Sequence, residues 1–154
     1  MKTLVVYYSR SGNTKKIAEE ISNKMKCDVE EIIDTKNRKG IIGWLRAAMD
    51  ARSKKLTKIK EITKDPAKYE VIVIGTPIWG GYMVPAVRAY INENKSKFKN
   101  VAFFCTYGGS GKIKTLGDME DYTGITPISK MGIREKEIGT NHEDKLKSFI
   151  KGIK

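Results

Sequence analysis

The chain has 154 residues, 40% hydrophobic and 31% charged, too apolar for a disordered segment and sized for one domain spanning 1–154. No stretch approaches the roughly 18 consecutive apolar residues of a membrane helix, and Met1-Lys2 runs straight into an apolar stretch, leaving no room for a signal peptide. The net charge of +12 is unevenly placed: residues 34–68 hold eleven Lys/Arg and four Asp/Glu, a surplus of +7, yet with Trp44 the single aromatic residue there, no aromatic series interleaves with these lysines as a single-strand nucleic-acid reader requires.

The basic stretch therefore reads as a solvated face or a docking face for an acidic partner, and nucleic acid is set aside. In chain order, "KTLVVYYS" (2–9) is almost wholly apolar, as a strand covered on both faces must be. A helix follows, with Ile17, Ile21 and Met25 recurring every four residues. The run "CDVEEII" (27–33) alternates with Glu30 and Glu31 and reads as an edge strand. Next, "KNRKGIIGWLRAAMDARSKKL" (36–56) carries an apolar stripe of Ile41, Ile42, Trp44, Leu45, Ala48 and Met49. The stripe is expected to pack on the sheet or beside the ligand loops, with Arg46, Arg52, Lys54 and Lys55 left facing water.

"YEVIVIGTP" (69–77) and "NVAFFCTY" (100–107) are two further buried strands. Between them Pro85 opens a helix with Val87 and Ile91 on one face. Leu116 and Met119 mark another helix, which Gly124 stops. "ITPISKMGI" (125–133) contains Pro127, which cannot donate to a ladder, so it is the other edge strand. Thr140 with Glu143 predicts a capping box for a last helix that buries Leu146, Phe149, Ile150 and Ile153.

This alternation predicts an α/β fold: a three-layer, doubly wound, five-stranded parallel sheet with right-handed crossovers and strand order 2-1-3-4-5. Ligands on such a sheet bind beyond the carboxyl ends of the strands, at the switch point between the first and third. Three loops are thereby singled out: 9–14, 76–83 and 106–111.

Loop 9–14 joins three hydroxyls (Ser9, Ser11, Thr14) and Gly12 to a helix start, where free N–H groups and the helix dipole suit a phosphate. One hydroxyl would serve as a simple cap; three around Gly-Asn exceed that need. It is neither a nucleotide P-loop, lacking a closing Gly-Lys-Ser/Thr, nor a Gly-x-Gly-x-x-Gly turn. "GGSGK" (108–112) also fails as a P-loop, with Thr106 at the first glycine position and Ile113 where Ser or Thr is needed. Loops "TPIWGGYM" (76–83) and "TYGGSG" (106–111) each set an aromatic residue beside paired glycines, so that backbone can approach a flat ligand.

With these motifs in order on these strands, the whole chain resembles the flavodoxin family. "SRSGNT" is similar to its phosphate loop, and "GTPIWGG" and "CTYGGSG" to its two flavin-ring loops. The resemblance implies FMN as cofactor. It places Ser9, Arg10, Ser11, Gly12, Asn13 and Thr14 on the phosphate, and Pro77, Ile78, Trp79, Gly80, Gly81, Thr106, Tyr107, Gly108 and Gly109 on the ring. It also implies a cytoplasmic electron carrier between redox partners, the alternative being an FMN-dependent NAD(P)H reductase of quinones or similar acceptors. Two departures stand out. Typical flavodoxins are acidic, whereas this chain is strongly basic, and its 36–56 segment lengthens the second crossover. Together they point to acidic, ferredoxin-like partners.

The sequence holds no catalytic triad, metal cluster or paired general acid and base. His142, the single histidine, reads as a helix-start residue with a capping or surface role. Cys27 and Cys105 lie far apart and read as reduced thiols of a cytosolic protein, Cys105 as a small buried hydrophobe.

Overall fold

The computed structural model describes residues 1–36 and 40–154. Five parallel strands, β1 (Thr3–Tyr7), β2 (Asp28–Glu31), β3 (Val71–Trp79), β5 (Asn100–Tyr107) and β6 (Ser129–Arg134), lie in the order β2-β1-β3-β5-β6. This is the order 2-1-3-4-5 expected of the five apolar runs. A sixth strand, β4 (Tyr82–Met83), pairs antiparallel with the end of β3. Pro127 lies outside β6, which starts at Ser129, so the proline leaves the ladder intact.

Helices cover both faces, and alternate residues of each central strand supply two cores. Val5, Val71, Val73, Ala102 and Phe104 face α1 (Asn13–Met25) and α5 (Glu143–Ile153), meeting Ile17, Ile21, Leu146 and Phe149. Leu4, Val6, Ile72, Ile74 and Phe103 face α3 (Pro85–Asn94) and α4 (Lys112–Thr123), meeting Val87, Tyr90, Ile91 and Met119. Gly75 on β3 is fixed by packing, since a Cβ there would lie 2.1 Å from Phe104 Cζ. Pro85 and Gly124 bound α3 and α4 as expected.

The β2 edge is blunted by the chain that follows α2 (Gly40–Arg52). The N–H of Lys60 donates to Ile33 O at 2.9 Å and that of Thr35 to Lys58 O at 3.1 Å. Glu30, expected on the polar side of an edge strand, is buried; it accepts from the backbone N–H and hydroxyl of Thr63 and from the Lys64 N–H.

Two expectations are corrected. No capping box forms at α5: Thr140 Oγ1 donates within its own turn, to Lys136 O or Glu137 O, while His142 occupies the N-cap position. The apolar stripe of α2 does not pack inward. The helix buries its small residues Gly43, Ala47 and Ala51 together with Asp50, and turns its large side chains outward. Part of the 36–56 segment, residues 37–39, lies outside the described residues.

Candidate functional site

The three loops singled out by the topology converge at the carboxyl ends of β1, β3 and β5. After β1 the chain turns at Ser9, whose Oγ accepts from the Gly12 N–H at 3.1 Å. Gly12 is the N-cap of α1 at φ +98°, a left-handed conformation that favours glycine, and no side chain caps the helix. The first intrahelical bond runs from Lys16 N to Gly12 O, at 3.0 Å. The N–H groups of Asn13, Thr14 and Lys15 are therefore the orphan donors of an α-helix start, aligned with the positive end of its dipole. Ser11 and Gly12 are exposed beside them, whereas the Arg10 guanidinium reaches away to the Gly40 carbonyl at 3.3 Å.

Thr14 is buried, and its Oγ1 lies 2.7 Å from Oγ1 of Thr106 at the end of β5. Two hydroxyls hold two hydrogens and one bond between them consumes only one, so the pair keeps one donor in hand. Thr106, expected on the ring, is thereby tied to loop 9–14.

Residues 76–83 form a hairpin, with Ile78 opposite Met83 and Trp79 opposite Tyr82. Gly80 and Gly81, at φ +59° and +86°, make the two-residue turn, whose positive φ values suit a right-twisted ribbon. Trp79 is half-buried and meets Tyr8 edge-on, ring centroids 5.4 Å apart and planes at 88°. Pro77 and Ile78 are half-buried beside it. The hairpin is pinned from α4, where Thr115 Oγ1 donates to Gly81 O at 3.1 Å. The β5 loop closes on it as well: a Cβ on Gly111 would sit 3.2 Å from Ile78 Cγ2.

Tyr107 is buried, with the Arg134 guanidinium 5.9 Å from its ring centroid, whereas Gly108 and Gly109 are exposed. Of the two expected ring aromatics, Trp79 is thus the one at the surface. Basic groups collect around the loops: Lys54 and Lys114 stand 5.1 and 4.5 Å from the Tyr82 ring centroid. Sequence reasoning missed Tyr8, Tyr82, Lys114 and Arg134. The hairpin was signalled by Gly-Gly between Trp79 and Tyr82; the other contacts depend on side-chain directions.

Burial pushes the Cys105 thiol up to about 12, so it is no nucleophile. His142 is buried and away from these loops; its Nδ1 accepts from the Gly139 N–H at 3.0 Å and its Nε2 lies 2.8 Å from Glu20 Oε2. The ring links α5 to α1. Uncapped helix donors, a spare hydroxyl hydrogen, a surface tryptophan and two exposed glycine turns together suit a ligand with a phosphate tail and a planar head.

Comparison with solved structures agrees. The chain is 26% identical to a flavoprotein of Lactobacillus acidophilus NCFM solved in complex with FMN, covering 89% of this chain and 95% of that one at a TM-score of 0.75. It shares the fold of a putative flavoprotein from Bacteroides eggerthii, with 23% identity, coverage of 97% and 96%, and a TM-score of 0.79. It also shares the fold of a flavodoxin from the domain Archaea, with 24% identity, coverage of 99% and 94%, and a TM-score of 0.60. No curated protein matches the chain. The flavodoxin family profile matches residues 2–129, and the chain belongs to the flavodoxin family.

Proposed function

We propose that this protein binds FMN in a single domain and carries electrons between redox partners in the cytoplasm. The uncapped start of α1, backed by the Thr14–Thr106 pair at the switch point between β1 and β3, carries the reading. A phosphate dianion there gains backbone donors, the helix dipole and a hydroxyl without a buried lysine to neutralise it. FMN, when bound, supplies one- and two-electron transfer. The chain's own residues bind and orient. Trp79, held edge-on by Tyr8, offers a face to a planar ring, and the Gly80-Gly81 and Gly108-Gly109 turns let backbone amides approach the ring edge. Lys54, Lys114 and Arg134 set a positive potential around the loops.

Two free thiols suit the reducing cytoplasm, and among the described residues no helix is long and apolar enough to cross a membrane. The test is to titrate apoprotein with FMN and riboflavin, and then to mix holoprotein anaerobically with NADPH and separately with a reduced electron-transfer protein. A carrier binds FMN in preference to riboflavin and is reduced by the protein donor but not directly by NADPH. Rapid bleaching by NADPH alone would identify a reductase instead.

A further inference from the structure

Helix α2 is built the opposite way round from an ordinary surface helix. Its inner face of Gly43, Ala47, Asp50 and Ala51 lets it lie close on β3, β4 and α3. Its outer face exposes Ile41 by 80%, Ile42 by 76%, Met49 by 68%, Trp44 by 53% and Leu45 by 51%. Five large apolar side chains on three turns form a contiguous patch, which marks an interaction surface. Apolar groups on the outside above small residues on the inside are what a helix covered from both sides requires.

The patch adjoins the cofactor loops. The start of α2 takes the Arg10 hydrogen bond from loop 9–14. Its last turns press on the hairpin, where a Cβ on Gly80 would lie 2.9 Å from both Ala48 O and Arg52 Cγ. Whatever covers α2 therefore stands beside the Trp79 turn. The surface is also concave: Ile42, Leu45 and Met49 line a groove of about 500 Å³ rimmed by Lys36, Arg46 and Lys55.

We propose that this face docks an acidic electron-transfer protein of the ferredoxin kind, whose carboxylates meet the basic rim and whose apolar protrusion enters the groove. The inference rests on the reading of the chain as an electron carrier. Charge selects the occupant. A second copy would bring an identical basic rim and a net charge of +12 against its own kind. A flat bilayer presents no protrusion to fill the groove.

The test uses FMN-loaded protein, an acidic [2Fe–2S] ferredoxin as probe, and two variants, Leu45→Ser/Met49→Ser and Arg46→Glu/Lys55→Glu. All four positions lie outside the cofactor loops, so reduction by dithionite reports on the flavin alone. Binding of oxidised ferredoxin is followed by NMR shift perturbation, independently of electron transfer. Wild type is expected to bind with shifts centred on α2 and to be reduced at a rate that falls steeply with salt. Each variant is expected to lose at least tenfold in ferredoxin rate with an unchanged dithionite rate, the charge-reversed one with a flattened salt slope. Ferredoxin rates equal to wild type, wild-type binding weaker than 1 mM, or shifts away from α2 overturn the proposal. So do a dimer that Leu45→Ser/Met49→Ser dissociates, and binding to phosphatidylglycerol vesicles that the same variant abolishes in place of ferredoxin binding. Docking at α2 without electron transfer would instead defeat the carrier reading and leave the surface standing.

Discussion

Thr14→Val tests the phosphate grip at one atom. Valine keeps the shape and β-branching of threonine, so α1 and its packing persist while the hydroxyl goes. The buried Thr106 hydroxyl, 2.7 Å away, loses its partner. An unsatisfied buried hydroxyl costs about 1–3 kcal/mol, so apoprotein stability should fall by that order. Thr14 lies in the first turn of α1 and Thr106 at the end of β5, so in the proposed site Thr14 would be the member that meets the phosphate and Thr106 the one behind it. A hydrogen bond to a charged group is worth about 1.5–3 kcal/mol, which weakens FMN binding roughly ten- to a hundredfold. Riboflavin, which lacks the phosphate, should change little. Thr106→Val should cost only a few-fold through lost orientation, and the double variant should bind about as Thr14→Val does, because the two hydroxyls act as one unit. The assay is quenching of flavin fluorescence on titration of apoprotein, alongside urea unfolding. Equal losses for FMN and riboflavin would refute the phosphate role, and strict additivity would refute the coupling.

Asp118 and Arg88 form a buried ion pair between α4 and α3. Asp118→Ala leaves that guanidinium without its carboxylate and should cost about 3–5 kcal/mol in urea unfolding; a loss under about 1 kcal/mol would contradict it. The Cys105 thiol, raised by burial from 9.0 to about 12, stabilises the fold fully below pH 9 and loses that contribution as pH climbs towards 12, since the unfolded thiol ionises first. Cys105→Ala should therefore flatten the alkaline limb of the stability curve, and an unchanged limb would assign it to other groups with raised values, the tyrosines Tyr7, Tyr69 and Tyr90 among them. Lys54, Lys114 and Arg134 should make the flavin couple less negative than in an acidic flavodoxin, by stabilising the negative charge gained on reduction. Raising salt above about 0.1 M, where the screening length is ~10 Å, should lower the potential, and a potential independent of salt would remove these side chains from the account.

The five parallel strands and their order could be read in advance because each central strand is nearly continuous in apolar residues, and Pro85 and Gly124 mark the start of α3 and the end of α4. The three loops followed from topology alone. Burial direction along α2 was not legible, because periodicity reveals a stripe but not which side of it meets the core. Ile41 and Leu45 looked like core residues, whereas Gly43 and Ala47 make the contact. Thr106 shows the same limit, since its pairing with Thr14 spans 92 residues and depends on how the ends of α1 and β5 meet. The Thr140-Glu143 spacing matched a capping box by sequence, yet Thr140 bonds backward into its own turn and His142 takes the cap position.

A crystal structure of the protein grown with FMN would locate the phosphate and the ring. Phosphate oxygens are expected within hydrogen-bonding distance of the backbone N–H groups of Asn13 and Thr14 and of the Thr14 hydroxyl, with the ring between the Trp79 and Gly108-Gly109 turns. Flavin bound with its phosphate away from α1, or no flavin bound at saturating FMN, would contradict that placement.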